Sequence, residues 1–442
     1  MSDSPTPPVG PARSSSSRPA IPPPLDSATG FRDLLPEEAE SMRSGQEAIL
    51  AEMRRWGYRF VVTPTLESNE VLSLGLGPEQ RRKLFKFADA DGSVLAIVGE
   101  KTVPVARVAA GGLRTAPLPL RLCYAASVLA NDVGRFSNRR ETHQAGAELI
   151  GAAGPVADAE VIALAVRCLD AAGLGRYQVD VGHSEFFHGL LAGLRLDPEV
   201  EAGVKRALAA RDFVALEELL SATPLRSAER ELLLRFPALR GGPEILEAAG
   251  GLVANRRSEV ALEELARVHE LLGAHGLGEV VNLDLGAIRD FDYYTGVIFE
   301  AYGPDLGRPL AQGGRYDGLL ERFGRAAPAT GFVVHLDLVA EAIFRSRGRP
   351  ALPRLDAAVC WTGPGLPAAL RLAASLRLFG MRALVDSEAR PLPGARTFHA
   401  QQGAVNLLHC TGEGKVAWVD AQGKTKRLPP EQVVGQLAGA VL

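Results

Sequence analysis

The composition of the chain indicates a multidomain protein and excludes several classes of partner. Its 442 residues exceed the usual size of one hydrophobic core, so two or three domains are expected. The net charge of −3 gives no global signature of nucleic-acid binding, and no apolar run reaches the roughly 20 residues that span a bilayer. Four widely separated cysteines form no C-x-x-C pair. We therefore expect a cytoplasmic protein with free thiols, no membrane segment and no zinc or disulfide framework.

The first half of the chain combines a polar tail, a helix and several strand-like segments. Residues 1–28 are rich in Pro and Ser and lack a periodic apolar face, so they predict a disordered tail. A helix is expected from Pro36, because the acidic Glu37 and Glu38 suit the positive end of a helix dipole. Strand patterns follow in "RFVVTPTLES", "LPLRLCYAAS" and "HQAGAELIG". Residues 185–275 have an almost wholly helical pattern and are predicted to be an insertion.

The second half returns to strands and ends in a segment of different character. Residues 289–302, "RDFDYYTGVIFEAY", alternate as a strand does, although neither face is cleanly apolar. Packed aromatic residues on an antiparallel strand would explain this pattern without any ligand. Gly313 and Gly314 predict a tight turn. From residue 347 the order strand, helix, strand, strand predicts a small separate α/β domain, residues 347–442.

Several segments together resemble one known family. "TGFRDLLPEEA", "HQAGAELIG", "RDFDYYTGVIFE", "GGRYDGL" and "GFVVHLDLV" occur in the order and spacing of the class II histidyl-tRNA synthetase catalytic domain. The resemblance covers residues 29–346, and residues 347–442 are similar, more weakly, to a degenerate form of the synthetase's anticodon-binding domain. It implies an α+β fold, in which an antiparallel sheet is flanked by helices. It also implies a homodimer that forms through the first helix and the strand carrying Pro64.

The chemistry of adenylation separates two hypotheses within this family. One is a working synthetase; the other is the synthetase-like regulatory subunit of ATP phosphoribosyltransferase, which is not an enzyme. Activation of an amino acid by ATP needs cations at the phosphoryl oxygens. By the family spacing, the two phosphate-binding arginines fall at Ala130 and Leu338. Arg135, Arg139 or Arg140 would have to compensate from a loop, and we therefore predict a non-catalytic subunit.

The resemblance also implies a binding pocket for the amino acid. A carboxylate suits an ammonium, an arginine fork suits a carboxylate, and a paired acid and phenol suit an imidazole with two distinguishable nitrogens. Buried ion pairs and core tyrosines would explain the same residue types without a ligand. The implied contacts are Glu100 and Thr102 for the ammonium, Gln144 beside the α-carbon, Arg289 for the carboxylate, Glu148 and Tyr294 for the imidazole, and Tyr293 and Tyr316 as walls.

The expected partners follow from the same resemblance. They are a short-form ATP phosphoribosyltransferase catalytic subunit, free histidine as the effector of histidine biosynthesis, and a second copy of the chain in a larger hetero-oligomer. The histidines show no metal-ligand spacing, His143 is interpreted as structural, and no phosphate loop occurs, so no metal or cofactor is expected. A functional histidyl-tRNA synthetase and a histidine-sensing or tRNA-binding paralogue remain as alternatives. The length of the last domain is a departure, because regulatory subunits of this type often lack most of it.

Overall fold

The computed structural model of the chain describes residues 27–131, 139–194, 196–209, 212–252, 255–286, 294–304, 306–348, 353–412 and 414–439. The predicted disordered tail lies almost wholly outside these residues. The chain divides into two compact units, Met1–Arg349 and Pro350–Leu442.

The first unit is built on a large, mainly antiparallel sheet. Its described strands are β1 (Arg59–Phe60), β2 (Leu66–Ser68), β3 (Lys86–Ala88), β4 (Val94–Ile97), β5 (Leu120–Leu129), β6 (Glu141–Ile150), β7 (Gln178–His183), β8 (Arg240–Gly241), β9 (Val281–Asp284), β10 (Val297–Tyr302), β11 (Pro309–Arg315) and β12 (Ala329–His335). Nine of them form one sheet in the order β1-β5-β6-β12-β11-β10-β7-β9-β8, and β2-β4-β3 form a smaller one. Only the β1–β5 and β7–β9 pairs of these described strands are parallel.

Twelve described α-helices accompany these strands in the first unit. They are α1 (Pro36–Arg55), α2 (Asn69–Gly75), α3 (Pro78–Arg82), α4 (Thr102–Ala110), α5 (Pro155–Ala171), α6 (Ser184–Leu194), α7 (Pro198–Ala209), α8 (Phe213–Ala222), α9 (Ser227–Arg235), α10 (Glu244–Gly250), α11 (Arg256–Ala274) and α12 (Leu336–Arg347). The helix predicted at Pro36 is confirmed, with Glu37 and Glu38 in its first turn. It buries Ile49 and Met53.

Alternate residues of β6 give the two faces of the sheet different roles. Ala147 and Leu149 belong to an apolar core that also contains residues of α1 and α5. Gln144 and Glu148 point to the opposite face, where Thr102 at the start of α4 donates a hydrogen bond to Glu148. The functional site described below lies on this second face.

The segment predicted as an all-helical insertion contains α6 to α11 and also a short strand. Arg240, in β8, donates two hydrogen bonds to the carboxylate of Asp180, at 2.8 and 2.6 Å, and lies 4.0 Å from Asp284. Both aspartates are buried in the main sheet. The insertion is therefore joined to the edge of the sheet by an ion pair as well as by β8.

Two local predictions differ from the structure. Of the strand expected over residues 289–302, residues 289–293 lie outside the described part, and among residues 294–302 the strand begins only at Val297 and ends at Tyr302. The tight turn expected at Gly313 and Gly314 is wrong, because both lie inside β11. A Cβ atom on Gly314 would lie 2.9 Å from the ring of Tyr294. This position therefore carries glycine because the Tyr294 ring packs against it, and not because the backbone turns there.

The second unit is a five-stranded sheet with three helices among its described residues. The elements are β13 (Ala357–Trp361), α13 (Leu366–Leu378), β14 (Ala383–Val385), α14 (Leu392–Gln402), β15 (Asn406–Cys410), β16 (Val416–Val419), β17 (Thr425–Leu428) and α15 (Pro430–Ala438). The strand order is β14-β13-β15-β16-β17. Helix α14 was not predicted, because it buries only Ala395 and so shows little apolar periodicity.

Candidate histidine-binding pocket

The carboxyl group of Glu148 lies at the centre of the site. Its side chain is only 1% exposed, and it accepts hydrogen bonds from the phenol of Tyr316 and, at 2.9 Å, from the hydroxyl of Thr102. Burial raises the pKa of Glu148 to about 8, although both of these hydrogen bonds oppose the shift. The raised pKa favours the protonated carboxyl at neutral pH, and Tyr316 and Thr102 connect this group to the cavity described below.

Two glycines, Gly331 in β12 and Gly146 in β6, create the space that the side chains of Glu148 and Tyr124 occupy. Gly331 of β12 pairs with Glu148 of β6, and a Cβ atom on Gly331 would lie 1.7 Å from a carboxyl oxygen of Glu148. On the other side, Gly146 pairs with Tyr124 of β5, and a Cβ there would lie 2.4 Å from the Tyr124 hydroxyl. The two glycines therefore leave room for the side chains of Glu148 and Tyr124.

Glu100 has a structural role that the sequence did not indicate. Its carboxylate accepts hydrogen bonds from the backbone N–H groups of Thr102, at 2.9 Å, and Val103, at 3.0 Å. These are unpaired donors of the first turn of α4, so Glu100 caps that helix. Burial raises its pKa, and the two N–H groups act against this shift.

Lys101, between Glu100 and Thr102, is 3% exposed and was not predicted as a site residue. Its ammonium contacts the carbonyl oxygen of Thr63 at 3.4 Å, the Thr63 hydroxyl at 3.1 Å and the carbonyl oxygen of Pro64 at 3.1 Å. Three donors thus meet three neutral acceptors. Burial lowers the pKa of Lys101, while the nearby Glu100 and Glu67 favour its charged form.

Most of the predicted residues meet around one cavity of about 100 Å³. Tyr124 and Gln312 line it as well, and neither was predicted. The remaining two predicted residues, Arg289 and Tyr293, lie outside the described part of the chain. The predicted residues that line the cavity are Glu100, Thr102, Gln144, Tyr294 and Tyr316, and Glu148 is bonded to two of them.

The two positions at which the sequence predicts the loss of the synthetase's phosphate-binding arginines are Ala130 and Leu338. Ala130 follows β5, and Leu338 is buried in α12 as part of the main apolar core. Arg139 lies 3.5 Å from Glu341, and the guanidinium of Arg140 lies over the ring of Phe85. Neither arginine lines the cavity at Glu148, and Arg135 is outside the described residues.

A larger cavity, of about 190 Å³, is lined by several charged residues that form ion pairs, among them Arg32, His143 and Asp337. Arg32 contacts Glu38 at 2.9 Å, and the ring of His143 lies 3.3 Å from Asp337. Asp337 also accepts a hydrogen bond from the backbone of His143 at 2.6 Å. This hydrogen-bonded carboxylate raises the pKa of His143, as expected for a structural histidine.

The described residues form neither a metal site nor a membrane-spanning helix. No group of His, Cys, Asp or Glu side chains in this part of the chain could hold a metal ion. No described helix is long and apolar enough to cross a membrane. All four cysteines are free and buried.

Comparisons with known proteins identify the family of the chain. The family model described as histidyl-tRNA synthetase matches residues 30–339. The ATP phosphoribosyltransferase regulatory subunit of Moorella thermoacetica is 42% identical over 380 residues, which cover 86% of this chain and 97% of that protein. The protein of the same description from Desulforamulus reducens is 38% identical and covers 88% and 96%. The crystal structure of an ATP phosphoribosyltransferase regulatory subunit/histidyl-tRNA synthetase from Bacillus halodurans has a TM-score of 0.79 at 31% identity and covers 89% of this chain and 100% of that one.

The fold and the pocket define a class II histidyl-tRNA synthetase-like protein, as the sequence predicted. Within that class, the chain belongs to the family of ATP phosphoribosyltransferase regulatory subunits. The length of the last domain is compatible with this family. Pro350–Leu442 makes up about a fifth of the chain. Each of these two relatives leaves a smaller share of the chain unaligned, so both alignments extend into this unit.

Proposed function

We propose that this chain is a non-catalytic regulatory subunit of ATP phosphoribosyltransferase in histidine biosynthesis, and that free histidine binds as an effector in the cavity at Glu148. The observation that carries the proposal is the buried Glu148–Tyr316–Thr102 cluster. A protonated carboxyl offers a hydrogen to one nitrogen of a neutral imidazole, and the surrounding phenols and amides add both donors and acceptors.

Among the described residues, no arginine lines this pocket to bind the phosphates of ATP during activation of the amino acid. Developing charge on the α- and γ-phosphates would meet the methyl group of Ala130 and the buried side chain of Leu338. The loss of one preorganised donor typically lowers a rate by about 10²- to 10³-fold, so two losses leave negligible adenylation. The ion pair of Arg139 and the packing of Arg140 on Phe85 support this view, since both cations have other partners.

Assembly with other chains is part of the proposal. The edge strand β1 and the residues after it expose Phe60, Val62 and Leu66, with Val62 79% exposed. Exposed apolar residues beside an unpaired strand edge are typical of a contact surface. We assign this surface to the homodimer, and the mixed complex to this dimer together with short-form catalytic subunits.

Reconstitution with a short-form catalytic subunit tests the proposal. The chain should co-purify with that subunit, increase its transfer of phosphoribose to ATP, and make the rate sensitive to histidine. The variant Glu148→Ala should retain activation but respond to histidine only at about 5- to 10-fold higher concentration, as expected for the loss of a buried hydrogen bond between neutral groups. Glu300→Gln is the matched control, because Glu300 lies in β10 of the same sheet and does not line the cavity.

The alternatives predict different results from the same preparation. Histidine-dependent exchange of pyrophosphate into ATP at ordinary enzymatic rates would identify a working synthetase and overturn the proposal. Salt-sensitive binding of tRNA without any association with the catalytic subunit would instead identify a tRNA-binding paralogue.

A further inference from the structure

A buried lysine joins the candidate histidine pocket to the exposed connection between β1 and β2. This connection, residues 61–65, follows the edge strand of the main sheet. The ammonium of Lys101 is bonded to oxygens of Thr63 and Pro64 only, within the connection. Lys101 itself lies between Glu100 and Thr102, two predicted contacts of the ligand.

The location of Lys101 restricts how the pocket can adjust. Glu100 and Thr102 are fixed to the first turn of α4, and Thr102 is also bonded to Glu148. A ligand that forms hydrogen bonds with the carboxylate of Glu100 or the hydroxyl of Thr102 must therefore shift the first turn of α4, which also carries Lys101. A desolvated ammonium cannot leave its three acceptors without a large loss, so the β1–β2 connection moves with it.

Backbone hydrogen bonds hold both ends of the β1–β2 connection in place. The N–H of Val98 donates to the carbonyl of Thr65 at 2.9 Å, and the N–H of Val61 donates to the carbonyl of Cys123 at 2.9 Å. Both ends of the connection are thus held by backbone hydrogen bonds, and Lys101 holds its middle. Val62, in the same connection, points its side chain into solvent.

We infer that Lys101 is a positioning residue that transmits occupancy of the Glu148 pocket to the β1–β2 connection, and through it to the surface formed by Phe60, Val62 and Leu66. The inference rests on the proposed function, because it takes histidine to be the occupant. It adds a route by which the effector alters contacts between chains, which the binding of histidine alone does not provide.

Hydrogen exchange of the full-length chain, with and without L-histidine, tests the route. In the wild type, histidine should slow exchange of the backbone amides of residues 59–66 by about 5-fold or more, the lower end of coupling between sites. Lys101→Met should bind histidine within about 3-fold of the wild type by calorimetry, yet lose this protection. In the reconstituted complex, the same variant should lose most of the inhibition by histidine.

Two further variants separate transmission from general damage to the fold. Arg107→Met is the matched control, because Arg107 is also in α4 and bonds to Glu67 of β2 at 2.6 Å, but does not contact the connection. It should leave the response to histidine unchanged. Thr63→Val removes one acceptor from the opposite side and should weaken the protection even if Lys101→Met does not fold. Lys101→Arg, which keeps the cation, should retain part of it.

The outcomes distinguish the inference from the proposal beneath it. If wild-type protein binds histidine but residues 59–66 exchange at the same rate, or if Lys101→Met keeps full protection, the inference is wrong and the proposed function stands. If wild-type protein does not bind histidine at all, both are wrong.

Discussion

The contact between Gly331 and Glu148 allows the most quantitative prediction. In Gly331→Ala, the new methyl group would lie 1.7 Å from a carboxyl oxygen of Glu148 and 2.7 Å from the carbonyl oxygen of Ala147. A normal contact is about 3.5 Å, so the carboxyl must retreat by roughly 1.8 Å and leave Tyr316 and Thr102. Unpaired buried polar groups cost about 1 to 3 kcal/mol and overpacking costs a similar amount, so we expect a loss of about 2 to 6 kcal/mol.

Urea unfolding followed by circular dichroism measures this loss in the transition of the first unit. Gly318→Ala is the control, since a Cβ there would meet nothing within 4 Å. The double variant Gly331→Ala, Glu148→Ala should lose less than the sum of the single variants, because the clash with the carboxyl is absent. A free energy of unfolding for Gly331→Ala within about 0.5 kcal/mol of the wild type would refute the packing described for this site.

Three further predictions concern ionisable groups. The raised pKa of Glu148 contributes stability that is fully present below its ordinary pKa near 4.5 and is lost as pH rises to about 8, with a slope of at most about 1.4 kcal/mol per pH unit. In urea unfolding at several pH values, Glu148→Gln should flatten this dependence of the free energy of unfolding on pH. An unchanged slope would contradict the raised pKa. The charged form of His143 is stabilised by Asp337, so Asp337→Asn should lower the pKa of His143 in an NMR titration, whereas Asp337→Glu should largely preserve it. Arg240→Met should destabilise the first unit by about 1 to 3 kcal/mol, a range reduced because Arg240 is 41% exposed; a double-mutant cycle with Asp180→Asn that shows no coupling would disprove the ion pair's role.

The fold could be predicted from the sequence because its motifs occur in the same order and spacing as those of the histidyl-tRNA synthetases. The same motifs predicted several residues that line the cavity. Glu148, Thr102 and Tyr316 were expected at the site, and the hydroxyl groups of Thr102 and Tyr316 both donate hydrogen bonds to Glu148. Tyr124 and Gln312 were missed, since their positions at the cavity depend on the register between strands that are distant in the chain. Lys101 was missed for a related reason: its partners, Thr63 and Pro64, are more than 35 residues away. The glycines of β11 were misinterpreted, because composition alone does not distinguish a turn from room for a neighbouring ring.

The role of Glu100 also shows what pattern alone cannot decide. A carboxylate before a helix was interpreted as a contact for an ammonium, and its two hydrogen bonds to backbone N–H groups of α4 became evident only from the structure. Both roles are compatible, because a carboxylate has further lone pairs to offer a ligand. Arg289 and Tyr293 remain predictions.

Calorimetric titration of L-histidine into the chain alone, without ATP and without the catalytic subunit, tests the central claim most directly. The wild type and Glu300→Gln should bind one histidine per chain with equal affinity, and Glu148→Ala, which removes the carboxyl altogether, should bind about 5-fold or more weakly. Equal affinity in Glu148→Ala and the wild type would place the histidine site elsewhere, and the absence of binding to the wild type would contradict the account of this pocket.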